Sequence, residues 1–177
     1  MTDPREPDEL LEVTSAAQYA ALGHPLRLRL LFALGRQTAT ISQLAAQLDT
    51  RKGNVAHHLT VLREAGLVRL AHTRQVRGGT EQYYERVARK LHFTGEQADA
   101  QKALTLRVLS EELSNAEPDP FLVLRLVHLT RQQAQQLVAT LTELVDGVEE
   151  ASEDEPRYRL LTGLFRPADR PPATDPA

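Results

Sequence analysis

Residues 40–65 hold two helical patterns separated by a short polar turn, and this arrangement limits the fold more than any other feature of the chain. In "TISQLAAQL", Thr40 and Gln43 are spaced as a capping box, and apolar residues follow at helical spacing. The stretch "DTRKG" then forms a tight turn. Beyond it, Val55, Leu59 and Leu62 lie at spacings of four and three, which places them on one face of a second helix. The pattern predicts a helix, a short turn and a helix.

The segments on either side extend this unit. Upstream, a helical pattern of small apolar residues begins at Glu12, and "PLRLRLLFAL" follows with Pro25 in the first turn of a densely apolar, central helix. Downstream, Gly66 stops the helix, "LVRLAHT" and "EQYYERVA" alternate as strands, and "RQVRGGT" is the loop between them. Helices followed by a hairpin in this order predict a winged helix-turn-helix.

Charge is distributed very unevenly along the chain. The whole sequence has a net charge of -3, but residues 22–90 carry twelve Lys and Arg against four Asp and Glu, a net of +8. The segments before and after this block have net charges of -4 and -7. A basic block inside an acidic protein indicates a polyanionic partner, because concentrated positive charge attracts negatively charged molecules.

The strings "LGHPLRLRLLFAL", "ISQLAAQLD", "NVAHHLTVLREAGLV" and "RLAHTRQVRGGTEQYYERV" together resemble the ArsR-type winged helix-turn-helix transcriptional regulators, over about residues 14–90. The resemblance implies a homodimer that binds double-stranded DNA at a palindromic operator and represses transcription by occluding a promoter. One departure is Ala56, which stands where the family usually has a small hydroxyl residue. This departure bears on one expected phosphate or base contact more than on the mode of binding.

The outward face of the second helix and the tip of the hairpin carry the predicted DNA contacts. Helix-turn-helix proteins place the N-terminal part of this helix in the major groove, where polar side chains meet base edges. Arginines on the wing suit the phosphate backbone or a narrow minor groove. His58, beside the apolar stripe, is predicted to be structural, and a pH-sensing role for His57 is a hypothesis. The candidate DNA-binding residues are Arg51, Lys52, Asn54, His57, Thr60, Arg63, Arg74 and Arg77.

Metal, cofactor and catalytic signals are not found in the sequence. The chain has no cysteine, so the cysteine-based metal sites of the resembling family cannot form, and its Asp/His/Glu spacing is also missing. A metal assembled across a dimer is left open. Adjacent residues on a helix point about 100° apart, so His57 and His58 cannot chelate one ion. No nucleophile elbow, phosphate loop or paired carboxylates occur, and we expect no cofactor and no enzymatic activity. The other histidines, His24, His72, His92 and His128, are expected to be ordinary surface or core residues.

The overall prediction is an α+β, mainly helical protein. We expect a disordered segment at 1–11, a winged helix-turn-helix domain at 12–90, a C-terminal module at 91–166 and a disordered tail at 167–177. The module is predicted to be a helix followed by a strand, a helix and a strand, with the strands in "FLVLRLVHLT" and "RYRLLTGLF". Its apolar faces suit dimerisation, a small-molecule effector pocket, or both.

Without an apolar run long enough to span a membrane, we expect a cytoplasmic protein with no membrane partner. The alternative function is a winged-helix protein-interaction module that does not read DNA sequence. The basic block argues against it, because a protein-binding derivative has no need to keep a basic surface.

Overall fold

The computed structural model describes residues 7–35, 37–116, 121–149, 151–152, 155–156 and 158–167. The chain divides into two compact units, 1–120 and 121–177. The helices are α1 (Ala16–Leu22), α2 (Pro25–Leu34), α3 (Ile41–Gln47), α4 (Lys52–Glu64), α5 (Ala98–Ser114) and α6 (Arg131–Asp146). The strands are β1 (Asp8–Val13), β2 (Ala39–Thr40), β3 (Val68–Val76), β4 (Gly79–Arg86) and β5 (Ala88–Phe93).

The first unit contains the predicted winged helix-turn-helix. Helices α2, α3 and α4 pack on one another, and β2, β4 and β3 form an antiparallel sheet in that order. The densely apolar α2 is the central helix, because its leucines are buried on more than one side. Its fully buried side chains include Leu30 and Leu34, which lie in one core with Leu44, Leu59 and Leu62. The α+β, mainly helical class is confirmed.

The beginning and end of the two key helices are set by local hydrogen bonds. The Thr40 hydroxyl accepts from the Gln43 backbone N–H at 3.2 Å, and the Gln43 side chain accepts from the Thr40 N–H at 2.8 Å, so the predicted capping box is present. Gly66, with φ of 69°, ends α4 in a left-handed conformation that disfavours a side chain. The chain therefore turns directly from α4 into the wing.

The wing is longer and its turn tighter than the sequence predicted. We expected residues 74–80 to be a loop, but β3 continues to Val76 and β4 begins at Gly79, leaving Arg77 and Gly78 as a two-residue turn. Gly78 has φ of 124°, a conformation that glycine adopts without steric cost. The correction moves Arg74 from the loop into a paired strand.

The N-terminal segment is structured where disorder was expected. Asp8–Val13 forms β1, which pairs in parallel with β5, and Val13 is fully buried. The helical pattern predicted from Glu12 begins only at Ala16, where the Ser15 side chain caps α1. The pairing partner lies about eighty residues downstream, so no local pattern predicts this strand. The rest of the predicted disordered segment, residues 1–6, lies outside the described residues.

The boundary predicted at residue 90 also differs from the structure. Strand β5 continues through it, and α5 packs against α2 within the first unit. The Gln101 side chain, buried in α5, donates to the Leu22 carbonyl at 3.3 Å and so ties α5 to the end of α1. The helix that we assigned to the C-terminal module is thus part of the winged-helix unit.

In the second unit, α6 is confirmed and the two strands are not. The Thr130–Gln133 capping box is present, and α6 begins at Arg131 as its pattern indicates. Residues 121–130 and the described part of 157–165 have no regular secondary structure. A strand needs a neighbouring strand to hydrogen-bond with, and the apolar composition of these two runs does not provide one. Among the described residues, no helix is long and apolar enough to cross a membrane.

Candidate nucleic-acid interface

The outward face of α4 presents the polar residues that the sequence indicated. Val55, Leu59 and Leu62 are buried, which fixes the rotation of the helix about its axis. His58 is also buried, and the polar positions on the opposite side of the helix point to solvent. The exposed candidates on or beside this helix are Arg51, Lys52, Asn54, His57, Thr60 and Arg63.

The N-terminal end of α4 is suited to an anion. Arg51 is the N-cap but makes no side-chain capping bond, and the first turn has no acidic residue. The positive end of the helix dipole therefore faces solvent beside two cationic side chains. Gly53 has open space where a side chain would stand, so a phosphate backbone has room to approach. Arg51 and Asn54 also line an open depression there with Asp49 and Thr50.

Two of the polar candidates already have partners within the chain. The Asn54 side-chain amide donates to the Thr50 hydroxyl at 3.2 Å, which leaves its carbonyl oxygen and second N–H for a base edge. The Thr60 hydroxyl donates to the Ala56 carbonyl at 3.0 Å, so it retains acceptor capacity only. Asn54 is thus the better equipped of the two to discriminate between bases.

The two wing arginines lie in different environments. Arg74 faces Glu81 across the hairpin, with Nη2 to Oε2 at 2.8 Å, and its guanidinium lies 5.7 Å from the centre of the Tyr83 ring. The hydrogen bond to Glu81 raises the pKa of Arg74, and the same bond lowers the pKa of Glu81. Arg77, at the turn, is exposed. The sequence did not indicate the Arg74–Glu81 pair, although their spacing on opposite strands of a hairpin was a usable signal.

Replacing Arg77 with alanine is expected to weaken binding to all duplexes alike. A phosphate contact carries no base information, so its loss makes the slope of log K against log salt shallower by about one. Binding measured by fluorescence anisotropy across a salt titration tests this. Gln75→Ala, two residues away in β3, is the control and should leave the slope unchanged. Equal slopes for the Arg77 variant and the native protein would remove the wing from the interface.

Behind the exposed face of α4, His58 joins three helices, and this cluster was not found from the sequence. Its side chain is 7% exposed, and its ring centre lies 4.5 Å from that of His24, the N-cap of α2. Arg27 lies 3.4 Å from His58 Nδ1, and it also donates to the carbonyls of Ala20 and Ala21 at the end of α1. The predicted structural role of His58 agrees with this burial.

Both clustered histidines are held in the neutral form. Arginine is always a donor, so His58 Nδ1 accepts, and His24 Nδ1 accepts from the Leu26 N–H at 3.1 Å. Burial, followed by the neighbouring His24, Arg27 and His57, lowers the pKa of His58. Burial and Arg27 lower the pKa of His24. Protonation of either ring at Nδ1 would remove the hydrogen bond that this nitrogen accepts.

The fold is therefore expected to lose stability as the pH falls below about 6.5, the ordinary pKa of histidine. A lowered pKa means that the unfolded chain binds more protons than the folded chain in this range, so unfolding is favoured by acid. Urea unfolding at pH 7.5 and 5.5 should give a lower midpoint at 5.5. His58→Gln should reduce that difference, while the control His128→Gln, at an exposed position, should not. Identical pH dependence in the native protein and His58→Gln would contradict the assignment.

Within the described part of the chain, no group of three or more His, Cys, Asp or Glu side chains is placed to hold a metal ion. The interface instead combines a polar helix face, an uncapped helix end and a hairpin with an arginine at its turn. A helix-turn-helix followed by a β-wing, with this surface outward, defines a winged helix-turn-helix protein.

Comparison with known proteins agrees with this class. A family model described as a helix-turn-helix domain matches residues 22–71. A curated relative, the transcriptional repressor SmtB homolog of Synechocystis sp., is 31% identical over 90 residues. The match covers 49% of this chain and 58% of the relative, so the chain spans just over half of that protein. Together these findings confirm the resemblance to the ArsR-type winged helix-turn-helix regulators.

Solved structures of regulators are also similar to this chain. The transcriptional repressor BigR from Xylella fastidiosa is 26% identical, with a TM-score of 0.35, over 55% of this chain and 85% of that one. The homodimeric winged helix-turn-helix DNA-binding domain Mb0332 from Mycobacterium bovis is 23% identical, with a TM-score of 0.35, over 59% of this chain and 86% of that one.

Proposed function

We propose that this protein is a DNA-binding transcriptional regulator that reads a specific duplex sequence through α4. The observation that carries the proposal is the division of α4 into a buried apolar face and an exposed face of donors and acceptors. A helix with Asn54 and His57 on its outer face, and cations at its N-terminal end, has the groups that base edges and phosphates require. The net charge of +8 over residues 22–90 provides the long-range attraction.

The proposed assembly is a homodimer on a palindromic site. A single winged helix reads only a half-site, and two copies related by a twofold axis match two half-sites about one helical turn apart. Helix α5 offers a surface for this pairing, since Leu106 and Leu113 are 53% and 41% exposed on a helix whose other face is buried against α2. A dimer seated on a promoter would repress by occlusion. A small-molecule effector bound between copies would act by changing the spacing of the two reading helices.

Selection of randomised duplex DNA near 0.15 M salt tests the proposal, because non-specific attraction is largely screened there. We expect enrichment of a palindrome whose arms are one turn apart. Matched selections with Arg63→Ala and Asn54→Ala separate contacts to phosphate from contacts to bases. The Arg63 variant should select the same palindrome, and the Asn54 variant should select a less specific one. No enrichment with the native protein would favour the alternative, a winged helix that binds protein partners.

A further inference from the structure

Helix α6 has an apolar stripe that the rest of the described chain covers only in part. Its apolar side chains recur at helical spacing along one face, yet no residue of the helix is buried. Leu144 is 66% exposed, and Val148, just beyond the helix, is 55% exposed. The stripe consists of Ala134, Leu137, Val138, Leu141, Leu144, Val145 and Val148.

The segment before α6 adds to this apolar surface. Phe121, Leu124 and Leu126 are 93%, 87% and 89% exposed. Single exposed apolar residues are common in soluble proteins, but a continuous stripe next to such a run indicates an interaction surface. The apolar stripe of α6 is therefore a candidate surface for binding another molecule.

The charges at the two ends of α6 indicate which occupant fits. Arg131 is the first residue of the helix, and Glu149 lies about one turn beyond its last residue. The cation is at the positive end of the helix dipole and the acid is at the negative end, and both positions are unfavourable. The capping box fixes the start of the helix at this residue, so the arrangement is set by the sequence.

We propose that two copies of this chain pair through antiparallel α6 helices. In that arrangement the basic end of each helix lies beside the acidic end of the other, and both unfavourable dipole contacts are offset by the same pairing. A parallel pair would bring Arg131 beside Arg131 and acid beside acid. The apolar stripes of the two copies contact each other and are related by a twofold axis. This self-association surface belongs to the second unit, is separate from the α5 surface of the first unit, and does not depend on DNA binding.

Charge reversal in the full chain tests the orientation. Arg131→Glu and Glu149→Lys should each weaken self-association by about tenfold at low salt, because each replaces two symmetric attractions with repulsions. The double variant should return to within about twofold of the native value, and all differences should shrink in 1 M salt. Sedimentation equilibrium measures these constants. Single variants that match the native protein, or a double variant as weak as both together, would overturn the proposal.

The absence of cysteine from the sequence allows a direct second test. Ala134→Cys and Val145→Cys stand near opposite ends of the stripe within α6, about 16 Å apart along the helix axis. With a short thiol cross-linker, neither variant should cross-link with itself, and a mixture of the two should give a covalent dimer. Cross-linking of each variant with itself would show parallel helices, and no cross-linking in the mixture would show that a second copy does not cover α6. Either result would refute antiparallel pairing.

Substitutions on opposite faces of α6 complete the test. Leu137→Asp places a charge in the stripe, and Ala139→Asp places the same charge on the opposite face. The first should weaken self-association by at least about tenfold, and the second should leave it within about twofold. Equal effects would show that the stripe is not the contact.

Discussion

Replacing Leu62 with alanine is expected to lower the free energy of unfolding by about 2–5 kcal/mol. The side chain is fully buried in the inward face of α4, so its removal leaves a cavity between α4 and the core. A domain of ordinary stability has only about 5–15 kcal/mol to lose. Urea unfolding at neutral pH measures the effect.

The control is Leu10→Ala, which removes the same atoms from a side chain that is 50% exposed in β1. Its cost should stay below about 1 kcal/mol. Since the inward face also sets the rotation of α4, Leu62→Ala should also weaken the proposed DNA binding. A destabilisation of Leu62→Ala no greater than that of the control would mean that α4 is not anchored as the structure shows.

The second large effect is expected from Asn54→Ala combined with His57→Ala. Each lost base contact costs about 1–3 kcal/mol, and a dimer makes each contact twice. Preference for the selected palindrome over random duplex should fall by about 1,000-fold or more, with little change in binding to random duplex. Competition binding with both duplexes measures the ratio.

Lys52→Ala is the matched control on the same helix. A phosphate contact contributes to all duplexes, so this variant should weaken both the palindrome and random DNA while keeping their ratio. If the double variant behaved in the same way as Lys52→Ala, Asn54 and His57 would be positioning contacts, and the reading residues would lie elsewhere.

The helix-turn-helix could be predicted because its determinants are local. The capping box at Thr40, the spacing of Val55, Leu59 and Leu62, and the stop at Gly66 each lie within a few residues of the structure they specify. The exposed face of α4 follows from its buried face. That is why all six candidates on or beside α4 are exposed.

The features that were missed depend on distant partners. Strand β1 exists because β5 pairs with it, and the DELLEV segment alone does not indicate a strand. Arg27 reaches both the end of α1 and His58, thirty-one residues away, only because three helices converge. In the second unit, the apolar runs resemble strands in composition but have no paired backbone among the described residues. The residue types of a segment indicate whether it is suited to a strand, but a sheet forms only where a second strand pairs with it.

The parallel pairing of β1 with β5 has a consequence for how the chain reaches its fold. The β1 strand leaves the ribosome about eighty residues before its partner, residues 88–93, so this part of the fold has a high contact order and completes late. Helices α2, α3 and α4, whose contacts are more local, are able to form before then. A fragment ending at residue 87 would carry an unpaired strand edge, and the shortest autonomous DNA-binding fragment should extend through α5.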